Sequence, residues 1–205
     1  MPSSRRAATL PSRAAELSEA HAAWDGGEYG RVVKLRAAAK SDRREDRVAA
    51  AVLHARALLA LDRQEQVAPV LQRASKEVKG AEETVLTQML HGAALTLSGR
   101  YEQGEALLDE TAALAKRTSP QLAAEIAYYR ALSRWSSHRL PEAEEIVEAA
   151  LPASRDVHRA RLLQLLGWID VRGENYSGAA RQFTAALDEL NRAKRPDAQG
   201  RARLL

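Results

Sequence analysis

The chain has 205 residues, a formal net charge of +4 and a hydrophobic content of 45%. It contains no cysteine, which excludes disulfides and thiol chemistry and fits a cytoplasmic protein. No apolar run approaches the ~20 residues that cross a membrane. The basic residues are mostly Arg interspersed with Glu and Asp, without the basic stripe and interleaved aromatics of a nucleic-acid-binding face, so a solvated mixed-charge surface is expected.

In chain order, residues 1–11 read as a flexible basic tail: Pro2, Pro11 and an Arg pair offer little to pack, and no apolar stretch of a secretory signal follows. From Ser12, a plausible N-cap, the pattern is helical. A first helix runs to Asp25 and breaks at Gly26-Gly27, and a second runs from about Glu28 to Ala39. Ser41-Asp42 opens a helix to about Leu61, and Asp62-Arg63-Gln64 separates it from the next, about Glu65 to Lys79. A third pair covers about Glu82–Leu97 and Tyr101–Lys116. Ser119-Pro120 opens the fourth pair, Ser as N-cap and Pro at the first helical position, and Pro141 opens its second helix. Ser154 starts the fifth pair, which ends near Lys194, and Pro196 opens a partial helix to Leu205.

These pairs repeat. Tyr29, Gln66, Tyr101, Leu140 and Tyr176 stand 37, 35, 39 and 36 residues apart. The clearest copy is Gly167 to Leu187, GWIDVRGENYSGAARQFTAAL, where Tyr176, Ala179, Phe183 and Ala186 form one stripe of a 3.6-residue helix. The third unit keeps Gly92, Gly99, Tyr101, Gly104 and Leu108 in phase, and the fourth keeps Ala131, Leu140, Ala143, Val147 and Ala150. The second is the poorest, with Gln66 and Pro69 where Tyr and Ala are expected. This pattern resembles the tetratricopeptide repeat (TPR), a helix–turn–helix unit of about 34 residues. The resemblance implies an all-α, right-handed solenoid of about five antiparallel helix pairs plus a partial C-terminal helix. The units fall at about 12–40, 42–79, 82–117, 119–152 and 154–194, in a single domain 12–205 with the partial helix at 196–205. Ten residues cover the last apolar stripe, with its Phe183 and Leu187, poorly. The chain is therefore expected to continue past Leu205 or to pair with another copy at this end.

No catalytic constellation is present. His21, His54, His91, His138 and His158 are spaced by roughly one repeat and form no HxxxH or HExxH arrangement, so neither a metal nor a cofactor is expected. Gly26-Gly27 follows a helix and lacks the Gly-Lys-Ser/Thr of a phosphate loop. Glu82-Glu83 and Glu144-Glu145 fall in early helical turns, where carboxylates suit the dipole.

What remains is the groove. The resemblance implies that the first helix of each pair lines a concave face. Its register places there His21 and Trp24 in the first unit, His54 in the second and Met89 in the third. Glu125, Tyr128 and Trp135 follow in the fourth, with Arg161, Gln164, Trp168 and Arg172 in the fifth. The Lys/Asn/Arg clamp that holds chaperone C-termini in some relatives is absent from these positions. All three tryptophans fall on this surface, where aromatics serve as binding anchors, or else they pack against neighbouring first helices as core. The function implied is a non-enzymatic protein–protein interaction scaffold that takes a peptide or helix of a partner in the groove. The alternative is the partner- or ligand-sensing region of a bacterial transcription regulator, with an enzyme a distant third.

Overall fold

The computed structural model describes residues 13–35, 41–118 and 120–193. Among them are ten α-helices and no strand: α1 Arg13–Asp25, α2 Tyr29–Lys34, α3 Arg44–Ala60, α4 Val67–Ser75, α5 Ala81–Leu97, α6 Tyr101–Thr118, α7 Pro120–Ser136, α8 Leu140–Ala150, α9 Asp156–Arg172 and α10 Tyr176–Arg192. Short 3-10 turns at Gln64–Gln66 and Leu151–Ala153 precede α4 and follow α8. The tail, the partial helix from Pro196, the end of the expected second helix at residues 36–39 and the expected N-caps Ser12 and Ser119 lie outside the described residues.

One device closes every pair. Gly27, Asp62, Gly99, His138 and Glu174 hold φ of 74°, 55°, 77°, 61° and 61°. The next amide donates to the carbonyl five residues back: Glu28 to Ala23, Arg63 to Leu58, Arg100 to Leu95, Arg139 to Arg134 and Asn175 to Asp170, all at 2.8–2.9 Å. Each left-handed residue also donates to the carbonyl three residues back. This double closure is the Schellman motif, which satisfies the last carbonyls of the first helix. Only two of the five positions carry the glycine that makes the left-handed region free. Glu174→Gly and His138→Gly should therefore each stabilise the protein by about 1 kcal/mol, measured by urea denaturation. A loss of stability in both would remove this account of the turns.

The turns correct the register of the second unit. Tyr29, Tyr101, Leu140 and Tyr176 each begin a second helix two residues after the left-handed residue. In the second unit that place belongs to Gln64, not Gln66. Counting three, seven and ten residues from Gln64 gives Val67, Leu71 and Ala74, all buried, as Gly104, Leu108 and Thr111 are in the third unit. Pro69, which the sequence register put in the packed stripe, is exposed. The Gln64 side-chain amide meets the Leu97 carbonyl at 3.3 Å, tying this turn to the next unit.

The helices form two layers. The first helices α1, α3, α5, α7 and α9 touch in succession. Each of α2, α4, α6 and α8 packs on its own first helix and on the next one, while the second helices have no comparable packing on one another. The layer whose members touch is the inner side of the curve. A large cluster including Leu58, Val67, Val85, Met89, Leu90, Leu108 and Ile126 fills the middle of the array. A second cluster around Val147, Leu162 and Leu165 joins the last units, and a smaller one with Val32 and Leu53 holds the first.

Candidate functional site

The inner layer carries a buried polar cluster. Arg56 of α3 reaches past α5 to Glu125 of α7, Nη2 to Oε2, at 2.7 Å. The Glu125 side chain is only 4% exposed and that of Arg56 24%. On α5 the position matching Arg56, counted from the turn, is the fully buried Ala93, whose small side chain leaves room for this reach. Burial opposes ionisation of Glu125, but the charges of Arg56, His158 and Arg161 outweigh it and hold the carboxyl below its usual range. Burial pushes the neighbouring Tyr129 phenol up to about 12.

His158 sits in the same field, with its Nδ1 buried and without a hydrogen-bond partner. Burial is the largest influence on it and holds the imidazole below its ordinary 6.5; Glu125 opposes this, while Arg161 and Arg56 reinforce it. Burial and Arg100 depress His91 likewise. A histidine kept neutral by the fold contributes stability that is complete above the unfolded value and is lost as the pH falls toward the folded one. Stability should thus decline as the pH falls below 6.5, and His158→Gln should flatten the decline. Urea melts across this range check it, and an unchanged slope in the variant would refute it.

A second group lies on α7 and α9, near their C-terminal ends. The Arg172 guanidinium stacks 3.9 Å over the Trp135 ring, and its Nη1 donates to the Trp135 carbonyl at 2.9 Å. Trp135 Nε1 is buried without a partner. Trp168, one turn before Arg172 on the same helical face, is 43% exposed. Its ring meets Phe183 edge-on at 5.2 Å, and Phe183 in turn fills the space that a side chain at Gly167 would need. Two indoles and a guanidinium thus form a ledge that presents apolar area and positive charge together.

The other residues expected in the groove are placed differently. His21 is exposed on α1. Trp24 is half-buried, tilted against Tyr29 at 4.9 Å and packed on the first-unit cluster. Tyr128 is half-buried beside Tyr129, ring centroids 5.1 Å apart, and Arg161 is half-buried among the charges around Glu125. Gln164 is 9% exposed. Met89 requires correction: it is fully buried in the central cluster and offers no surface to a ligand, because the helices on either side of α5 close over it. His54 is half-buried, and its assignment rested on the register now shifted by two residues. In the corrected register Arg56 holds the place that Trp168 holds in the fifth unit. Arg56 was missed for that reason, and the missing signal was the left-handed aspartate. Among the described residues no group of His, Asp or Glu is arranged to hold a metal.

No family model matches the chain, and no curated protein matches it. Solved structures do. Bacillus thuringiensis PlcR, in complex with the peptide PapR7 and DNA, superposes with a TM-score of 0.70 at 12% identity, over 89% of this chain and 72% of that one. MamA (41-end) from Desulfovibrio magneticus RS-1 gives 0.57 at 16%, over 91% and 99%. MamA AMB-1 gives 0.56 at 16%, over 90% and 100%. Two layers of helix pairs closed by identical turns define a helical-repeat protein. Within that class the fold is TPR-like, similar to PlcR and MamA. No helix among the described residues is long and apolar enough to cross a membrane.

Proposed function

We propose that this chain is a non-enzymatic interaction module, acting in the cytoplasm, that takes a peptide or helical segment of a partner protein on its inner layer. The observation that carries this reading is the ledge of Trp168, Arg172 and Trp135. A tryptophan 43% exposed, in a chain with three, leaves a large apolar surface in water beside a cation. Such rigid aromatics with an adjoining arginine dominate binding hot spots. Arg172 favours an acidic group on the partner, and the charges of Arg56 and Arg161 exceed that of Glu125 farther along the same layer.

The test is capture of a partner from the native cell, followed by titration. Trp168→Ala should weaken binding by ~2 kcal/mol or more while leaving the melt nearly unchanged. Arg172→Glu should weaken it further at low salt than at high salt. Full-strength binding by both variants would end the proposal.

A second reading has its own support. PlcR, whose structure holds both a peptide and DNA, superposes at the higher TM-score. The sensing region of a transcription regulator would use the same ledge for a short peptide. A short peptide rather than a folded partner in the captured material would favour it.

A further inference from the structure

The outer face holds a crevice of about 650 Å³ between α6 and α8, floored by α7. The two second helices do not pack on each other, and the walls are joined at one end by Arg134, which pairs with Glu105 and Asp109 of α6 and with Glu142 of α8. Its floor from Ala123 to Arg134 is ~16 Å of helix, three turns. Ala123, Ala124 and Ala127 make that floor, with Ala112 on one wall and Ile146 and Ala149 on the other. Both ends are polar. Lys116 stands at one end, and Arg130, Arg134, Glu142 and Glu145 at the other. Arg134 is only 8% exposed and is paired with Glu105 and Asp109, yet its Nη1 is buried without a hydrogen-bond partner. Through these pairs Arg134 fixes the charged end of the trough.

We propose that this crevice is a second docking site, for a three-turn amphipathic helix of a partner protein lying parallel to α7. The charges fix both occupant and direction. A helix laid this way starts at Lys116, where the acidic residues favoured in a first turn pair with the lysine. It ends near Arg134, where the basic residues favoured in a last turn face Glu145 and Glu142, the latter shared with Arg134 and Arg139. Its apolar stripe rests on the alanine floor, whose small side chains admit close approach. An acyl chain with one charged head fits poorly, because its apolar end would lie against either Lys116 or the charged cluster. This site lies on the face opposite the ledge and does not depend on it.

The experiment uses the full chain and a fluorescein-labelled 13-residue peptide stapled on its outward face. The peptide carries two Glu in its first turn, two Arg in its last and Leu on one stripe. Anisotropy should show saturable binding. A peptide with the charges exchanged should bind ~3-fold more weakly, and Lys116→Glu should reverse that preference. Ala149→Trp, on the exposed wall, should reduce affinity roughly tenfold or more, while Trp168→Ala should leave it unchanged. Absence of saturable binding overturns the proposal, as does binding indifferent to Lys116→Glu and Ala149→Trp. Decanoate saturating the wild type but not Ala149→Trp, with no peptide binding, overturns it in favour of a small amphiphile.

Discussion

Arg56→Met should destabilise the protein by roughly 3 kcal/mol, the lower end of the range for breaking a buried ion pair. The substitution keeps most of the stem and removes the charge, leaving the Glu125 carboxylate, 4% exposed, without its 2.7 Å partner. The loss is not larger because the charge of Arg161 remains in its field. The double variant Arg56→Met/Glu125→Leu should recover most or all of the loss, since replacing both charges by apolar groups removes the desolvation cost along with the attraction. Urea denaturation followed by far-UV circular dichroism measures both. An Arg56→Met protein as stable as the wild type would mean that solvent screens the pair. A double variant no better than the single would mean that the polar cluster sustains the inner layer.

Gly104→Val should cost as much, roughly 3 kcal/mol. A Cβ at Gly104 would lie 2.6 Å from Thr96 Oγ1, 2.9 Å from the Gly92 carbonyl oxygen and 3.0 Å from the Thr96 amide nitrogen. Two of these are backbone atoms of α5 and cannot swing aside, so α5 and α6 must separate in the middle of the array. From the other side, a Cβ at Gly92 would meet Leu108 Cγ at 2.6 Å. Gly30→Ala is the control. Nothing lies within 4 Å of its added Cβ, so it should be neutral or slightly stabilising. Equal melts for Gly104→Val and Gly30→Ala would refute the close α5–α6 packing.

The repeat was legible where turn chemistry and packing chemistry coincide. Gly27 and Gly99 announce left-handed turns, and Ala179 and Gly104 announce close helix contacts three residues into the second helix. The second unit hid its phase because Asp62 performs the turn with no glycine, and Gln64 starts the next helix where an aromatic is usual. His138 was hidden likewise: as a sequence it reads as one more groove or surface histidine, and it is a turn residue. Helical register placed Trp135, Trp168 and Arg172 on first helices, but it could not show the guanidinium stacked on the indole. That contact depends on the offset between adjacent units. The Arg56–Glu125 pair spans 69 residues and skips a whole repeat. It depends on how tightly the layer curls, which no local pattern encodes.

The most direct test of the interaction reading is hydrogen–deuterium exchange on the full chain, alone and with its captured partner. Binding on the inner layer predicts slowed exchange at the C-terminal turns of α7 and α9, around Trp135 and from Trp168 to Arg172, with α10 unchanged on its outer face. Exchange that is unaltered at those turns, or slowed only in second helices, would contradict the placement of the partner on the Trp168–Arg172 ledge.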